Sequence, residues 1–465
     1  MKTTSAVLLL IVTIFFSFTY KESEKFKGLW KSIGYGKIID IRESKVKTYD
    51  INKVSCIPYY YLTKLNDFMI ENQPEFIHQD TVIFSSGITK YKYIRIKELP
   101  KTCSGEPYSE SRILNFDSYW ETFLEYYPYF EERNINWDKI KEKYRPRIND
   151  KMSDLDFLML LKKINREIND DHTNFTWIPN NLQKQYNQNK TANSDTIFFI
   201  TDSLLIEAQN QTAHQYLSKV NNYNSNTVLW GFTEENLGYL QINKMWGFAD
   251  YEVKNSLTSQ KFWKKYWHRA GKSSNYGLDN NQGIQKLMET IIQRFKDTDG
   301  VILDLRFNRG GSDETALKLL SYFNDSNKVV FTKKAKMGEQ FTKPQKIILN
   351  SQSNSYNKKV VLLTSSETCS AAEIFVLASL RLPNIIRIGN STSGHFSDAI
   401  PKAIPSGWTF RMSMEVYLDQ QKKNYEVIGI PPDIKTESTS KALFENLLEN
   451  KTDAAMIKAI EILRK

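Results

Sequence analysis

The chain has 465 residues, 40% of them hydrophobic and 25% charged, which is too long for one ordinary core and too apolar for a disordered polypeptide. Its net charge of +10 is spread along the sequence without a basic block, so it argues for solubility and against a nucleic-acid partner. No pair of His or Cys has metal-ligand spacing, so no metal is expected.

Residues 1–19 place Lys2 before an apolar run at 6–18, too short to span a bilayer and shaped like the core of a signal peptide. An exported protein, periplasmic, cell-surface or secreted, is therefore expected, with no stable membrane insertion beyond that segment. Residues 28–110 alternate short runs rich in Tyr, Ile and Val with turn residues, the pattern of a small antiparallel β domain. Cys56 and Cys103 bracket this region, and export would permit them to bridge. Residues 112–178 predict a helical subdomain: Trp120, Phe123, Leu124, Tyr127 and Phe130 mark one apolar face, and Phe157, Leu160, Leu161, Ile164 and Ile168 mark another. The second helix runs into Asp170-Asp171-His172, so His172 sits at the end of a packed element.

Residues 179–227 are rich in Asn, Gln, Lys and Ser and read as a polar loop or linker, interrupted by one apolar patch at 196–201. From 228 to 465 strands and helices alternate. Strands are expected at 237–242, 300–306, 360–363 and 384–388, and helices at 283–295, 312–323, from 371 onward, and in one closing run at 441–463. That alternation implies an α/β core with a mainly parallel or mixed sheet.

Two stretches of this core carry chemistry. Val360-Val-Leu-Leu363 is a buried strand that turns, through small hydroxylated residues, into a helix with Ala371, Ile374, Phe375 and Ala378 on one face. Ser370 lies at that turn, where unpaired N–H groups at a helix start can receive an oxyanion; the same position also suits a plain helix cap. Asp304-Leu-Arg-Phe-Asn-Arg-Gly-Gly311 leaves another buried strand and ends in two glycines, which let backbone approach a ligand closely. The spacing excludes a Walker phosphate loop. Asp304 and Arg306 read as an ion pair or turn scaffold.

The segments Val301-Ile-Leu-Asp-Leu-Arg-Phe-Asn-Arg-Gly-Gly311, Thr368-Cys-Ser-Ala-Ala-Glu-Ile374, Ile388-Gly-Asn-Ser-Thr-Ser-Gly394 and Gly429-Ile-Pro-Pro-Asp433, in that order, resemble the tail-specific, carboxy-terminal processing peptidases and their tricorn-like relatives. The resemblance covers roughly 237–434, with Asp171-His172-Thr173 as an outlying match. It implies a ClpP/crotonase-like core, an acyl-enzyme on Ser370 that needs no cofactor, and polypeptide substrates. One branch of the family pairs the serine with a lysine after the Thr-x-Gly turn, but that slot holds His395. The tricorn-like branch draws on a histidine and a glutamate whose slots are filled by His172 and Glu426. The resemblance thus implies Ser370, His172 and Glu426 as the catalytic set, the N–H groups of Ala371 and of Gly310 or Gly311 as the oxyanion hole, and His395 as the competing base. A Gly-Leu-rich PDZ pattern is missing between the helices and the core. Relatives that bind retinoids leave a second expectation open: an inactive carrier of a peptide or apolar ligand on the same scaffold. The oligomeric state is not legible.

Overall fold

The computed structural model describes residues 24–43, 45–58, 63–106, 108–190, 201–273, 275–436, 440–449 and 452–465. The expected signal segment and most of the 196–201 patch lie outside them. Among the described residues no helix is long and apolar enough to cross a membrane.

The core is a seven-stranded mixed sheet in the order Asn221–Tyr223, Val228–Phe232, Gly238–Ile242, Val301–Asp304, Val360–Thr364, Ile385–Gly389 and Ile434–Lys435. The first three strands run antiparallel, and Gly238–Ile242 and those beyond it run parallel. Every residue of Val360–Thr364 is buried, as a strand covered on both faces requires. Alternate side chains divide between two cores. Val360 and Leu362 pack with helices Tyr276–Phe295, Asp313–Leu320 and Ala371–Ser379. Val361 and Leu363 pack with helix Ala454–Leu463.

The amino-terminal region is an eight-stranded antiparallel sheet centred on Gly28–Ser32. Cys56 and Cys103 form a disulfide that ties an edge of it to the turn before the helices. Helices Arg112–Tyr126, Trp137–Tyr144 and Asp154–Ile168 share an aromatic core built on Tyr119, Phe123, Tyr127 and Phe157. The strand that follows them, Asn174–Trp177, pairs with Thr409–Ser413, which pairs with Ala399–Ala403. The helical subdomain is thereby stitched to the far end of the chain.

Three expectations need correction. Residues 179–227 are not a polar loop, because Asn180–Lys190 and Asp202–Tyr216 are helices and Asn221–Tyr223 is the edge strand of the core sheet. Buried Leu205, Ala208, Thr212 and Ala213 supply the second helix with an inner face that its polar composition hides. The closing run is two helices, Ser440–Leu448 and Ala454–Leu463, the second started afresh by the Asp453 side chain accepting from Met456 N. A further layer, with Lys328–Met337 between Gln345–Leu349 and Glu415–Leu418, is missing from the sequence reading. Its interior polar pair, Lys333 Nζ to Glu415 Oε2 at 2.7 Å, conceals the strand pattern, and Tyr35 of the amino-terminal sheet donates to the same carboxylate.

Candidate active site

The parallel strands Val301–Asp304 and Val360–Thr364 end side by side, and the turns that leave them carry Gly310 and Ser370. Asn308 joins the two turns. Its main-chain oxygen accepts from Cys369 N at 3.0 Å, its Nδ2 donates to Ile242 O at 2.9 Å, and its Oδ1 accepts from Gly310 N at 2.8 Å. Ser370 opens helix Ala371–Ser379 with φ 57° and ψ −126°, a strained conformation for a residue bearing a Cβ. Gly310 has φ 96°, and a Cβ built on it would stand 2.7 Å from Ser370 Cβ, so only glycine lets the loop lie against the serine. Met245 N donates to Gly310 O and Ser312 N donates to Met245 O, which fixes the loop from its other side.

With Gly310 N committed to Asn308, the donors without an acceptor among the described residues are Gly311 N and Ala371 N. One comes from each of the two turns. A helix start leaves its first amides unpaired, and the Ala371 amide is one of these.

Glu373 lies one turn into the same helix and is fully buried. Its Oε1 accepts from Gly394 N, and its Oε2 accepts from Ser370 N and His395 N, at 2.7, 3.2 and 2.8 Å. The nucleophile turn and the loop bearing His395 thus hang on one carboxyl group. Burial pushes that group up to about 7 against the pull of its hydrogen bonds.

The rings of His172 and His395 lie with centroids 6.0 Å apart and nearly perpendicular. His172 is placed by the Asn169 cap of helix Asp154–Ile168 and by the strand beginning at Asn174. Asp170 Oδ1 accepts from His172 N at 2.9 Å, while Oδ2 accepts from Tyr127 OH at 2.9 Å. His172 Nδ1 is buried without a hydrogen-bond partner. His395 has Ser393 Oγ 2.9 Å from Nδ1 and Asp171 Oδ2 3.7 Å from Nε2. Burial lowers both imidazoles below their ordinary value, opposed chiefly by Asp170 at His172 and by Asp171 at His395, so both are neutral at pH 7.

Glu426 does not bond either ring. Its Oε1 accepts from Arg133 Nη2 and its Oε2 from Phe396 N, both at 2.8 Å. Arg133 Nη2 also stands 3.9 Å from Asp170, so one guanidinium serves two buried acids. Burial first, then the Asp170 charge, pushes Glu426 up to about 8. Arg306 is buried between Asp304 and Asp453 and braces the strand ends, as expected of an ion pair.

Residues 236–436 match peptidase family S41, and residues 109–165 match the tricorn protease C1 domain. Residues 236–436 are thus similar to the peptidase core of the carboxy-terminal processing family S41. The chain is similar to the carboxy-terminal processing protease CtpA of Bacillus subtilis, with 29% identity over 186 residues, 37% of this chain and 39% of that one. The match therefore spans about two fifths of the curated relative. Among solved S41-like folds, a candidate peptidase from Parabacteroides merdae superposes with a TM-score of 0.55 at 21% identity, covering 76% of this chain and 97% of that one. Mature CPAF follows at 0.51 and 10% identity, with 76% and 98% covered. Both likenesses concern the fold.

Sequence reasoning missed Arg133 and Asn308. Arg133 lies in a turn with no local signal, and its partners are 37 and 293 residues distant. Asn308 sits inside the glycine motif, where a buried Asn preceding two glycines could have been read as the loop's internal brace.

Proposed function

We propose that the chain is an exported serine peptidase that cleaves polypeptides through an acyl-enzyme on Ser370. One observation carries the reading: Ser370 is held in a strained turn beside two uncommitted amides, Gly311 N and Ala371 N, and the Glu373 carboxyl ties that turn to the loop of His395, whose ring lies 6.0 Å from that of His172. Ser370 also closes a capping box with Glu373, but strain of this kind is what a nucleophile turn uses and a plain cap does not require. The same strand–turn–helix geometry supports the ClpP/crotonase-like relationship of the core.

In the proposed cycle His172 takes the Ser370 proton as Oγ attacks the scissile carbonyl carbon. Gly311 N and Ala371 N receive the oxyanion, and the imidazolium returns its proton to the leaving amine. Water, deprotonated by the same ring, then releases the acyl group. Asp170 supplies the favourable charge for the imidazolium. Glu426 is a positioning residue in this scheme: through Arg133 it fixes Asp170, and through Phe396 N it fixes the His395 loop. His395 is the competing base. The Cys56–Cys103 bridge supports an oxidising, extracytoplasmic destination.

A labelled fluorophosphonate tests the reading directly. Adduct formation on the wild-type chain, lost in Ser370→Ala, is expected. A folded wild-type protein that never reacts would favour the ligand-carrier alternative.

A further inference from the structure

Cys369, Glu373 and His395 come from the nucleophile turn, the helix behind it and the loop beyond the next strand. One ligand atom from each lies within 4.8 Å of the other two. Cys369 is the free cysteine of the described residues, and it and His395 are half-buried around the buried Glu373. We propose that these three side chains form an inhibitory site for a thiophilic divalent cation, zinc above all, one residue from the nucleophile. The inhibitory part rests on Ser370 being that nucleophile, whereas the binding part does not.

The donor set decides the metal. Thiolate, imidazole and carboxylate together suit zinc, while calcium and magnesium ask for oxygen alone. Zinc bonds of about 2.0–2.3 Å hold tetrahedral ligand atoms roughly 3–4 Å apart, so side-chain torsions need to close the triangle by about 1 Å. The surroundings already resemble the outer layer of a metal site. Three backbone N–H groups hold the Glu373 carboxyl in place. Whichever ring nitrogen of His395 takes the metal, the other keeps a neighbour, Ser393 Oγ at Nδ1 or the Asp171 carboxylate near Nε2. On binding, the Cys369 thiol releases its proton to solvent as the sulfur–metal bond forms, and a water or an incoming anion completes the fourth position. A cation there draws on the carboxyl that also holds Ser370 N, one residue from the nucleophile, and a displaced nucleophile turn hinders acylation. The site escapes a motif search because its members are scattered along the chain instead of paired at finger-like intervals.

Cobalt(II) reports the ligands without any need for turnover. Titration of the full chain under anaerobic conditions is expected to give one equivalent of tetrahedral d–d bands with a thiolate-to-cobalt charge-transfer band, both displaced by zinc. Cys369→Ala and Cys369→Ser lose the charge-transfer band, and His395→Ala weakens binding by roughly tenfold or more. In parallel, equimolar zinc slows fluorophosphonate labelling of the wild type by roughly tenfold or more, and a chelator restores it. Cys369→Ala labels at the wild-type rate with or without zinc. A charge-transfer band that survives Cys369→Ala, or no binding at one equivalent, overturns the site. Stoichiometric binding that leaves labelling unchanged overturns the inhibitory role. A cobalt spectrum in a protein whose Ser370 never labels upholds the metal site and removes the peptidase reading instead.

Discussion

Around Ser370 the geometry is held mostly through main-chain groups: two parallel strand ends, a glycine loop pressed on the serine, and amides fixed by Met245 and by the side chains of Asn308 and Glu373. Around His172 it is held by side chains. Asp170, Tyr127, Arg133 and Glu426 form a buried polar chain assembled from segments almost three hundred residues apart. The Ser370 half, Glu373 apart, tolerates change in side-chain charge but not in chain path. A half built from buried charges tolerates neither the loss of one partner nor a change of protonation, because the remaining groups stay desolvated.

The largest effect should come from the groups that move the proton. His172→Ala is expected to slow fluorophosphonate labelling by roughly 10²–10⁴, while His395→Ala retains most of the rate; the opposite ranking would transfer the base to the second ring. Gly310→Ala is the corresponding break on the backbone side. The new Cβ would meet Ser370 Cβ at 2.7 Å at a φ of 96°, and distortion of the oxyanion hole should cost about 10²–10³ in labelling rate. Full labelling by this variant would show that the loop is not part of the machinery.

Arg133→Met tests the side-chain half by stability. Two buried acids lose their shared cation, so unfolding should become easier by about 3–5 kcal/mol in denaturant titration. A loss under 1 kcal/mol would mean that Glu426, pushed up to about 8, is already neutral and needs no cation. The pH profile sharpens the contrast further. Burial holds the His172 pKa below its unfolded value near 6.5, so the base is active through neutral pH and the acid limb of labelling should fall below that value. Stability follows the same sign: as pH falls through 6.5, the unfolded chain takes up protons that the folded one resists, and the protein weakens. The smallest effect is expected at Val427, a half-exposed β-branched residue with φ 72° whose N–H donates to Gly394 O. Val427→Gly relieves that strain and should change stability by about 1 kcal/mol or less, leaving the labelling rate unaltered.

The same contrast explains what could be read from the chain. The strand at 360–363, the turn at Ser370 and the paired glycines are contiguous patterns, so period and composition reveal them. The polar chain beneath His172 has no local signature, since Asp170 beside Asp171 looks like a solvated helix end and Arg133 like a surface residue. The helices at Asn180–Lys190 and Asp202–Tyr216 were hidden by Asn- and Gln-rich faces, and the strand Lys328–Met337 by lysines, one of which is buried against Glu415. In each case tertiary pairing overrides composition.

The strand after His172 finds its partner only in Thr409–Ser413. On the proposed assignment, a nascent chain still attached to the ribosome carries its general base long before it owns either the serine or the strand that aligns the two. Proteolytic competence would then wait until the chain has been made past Ser413.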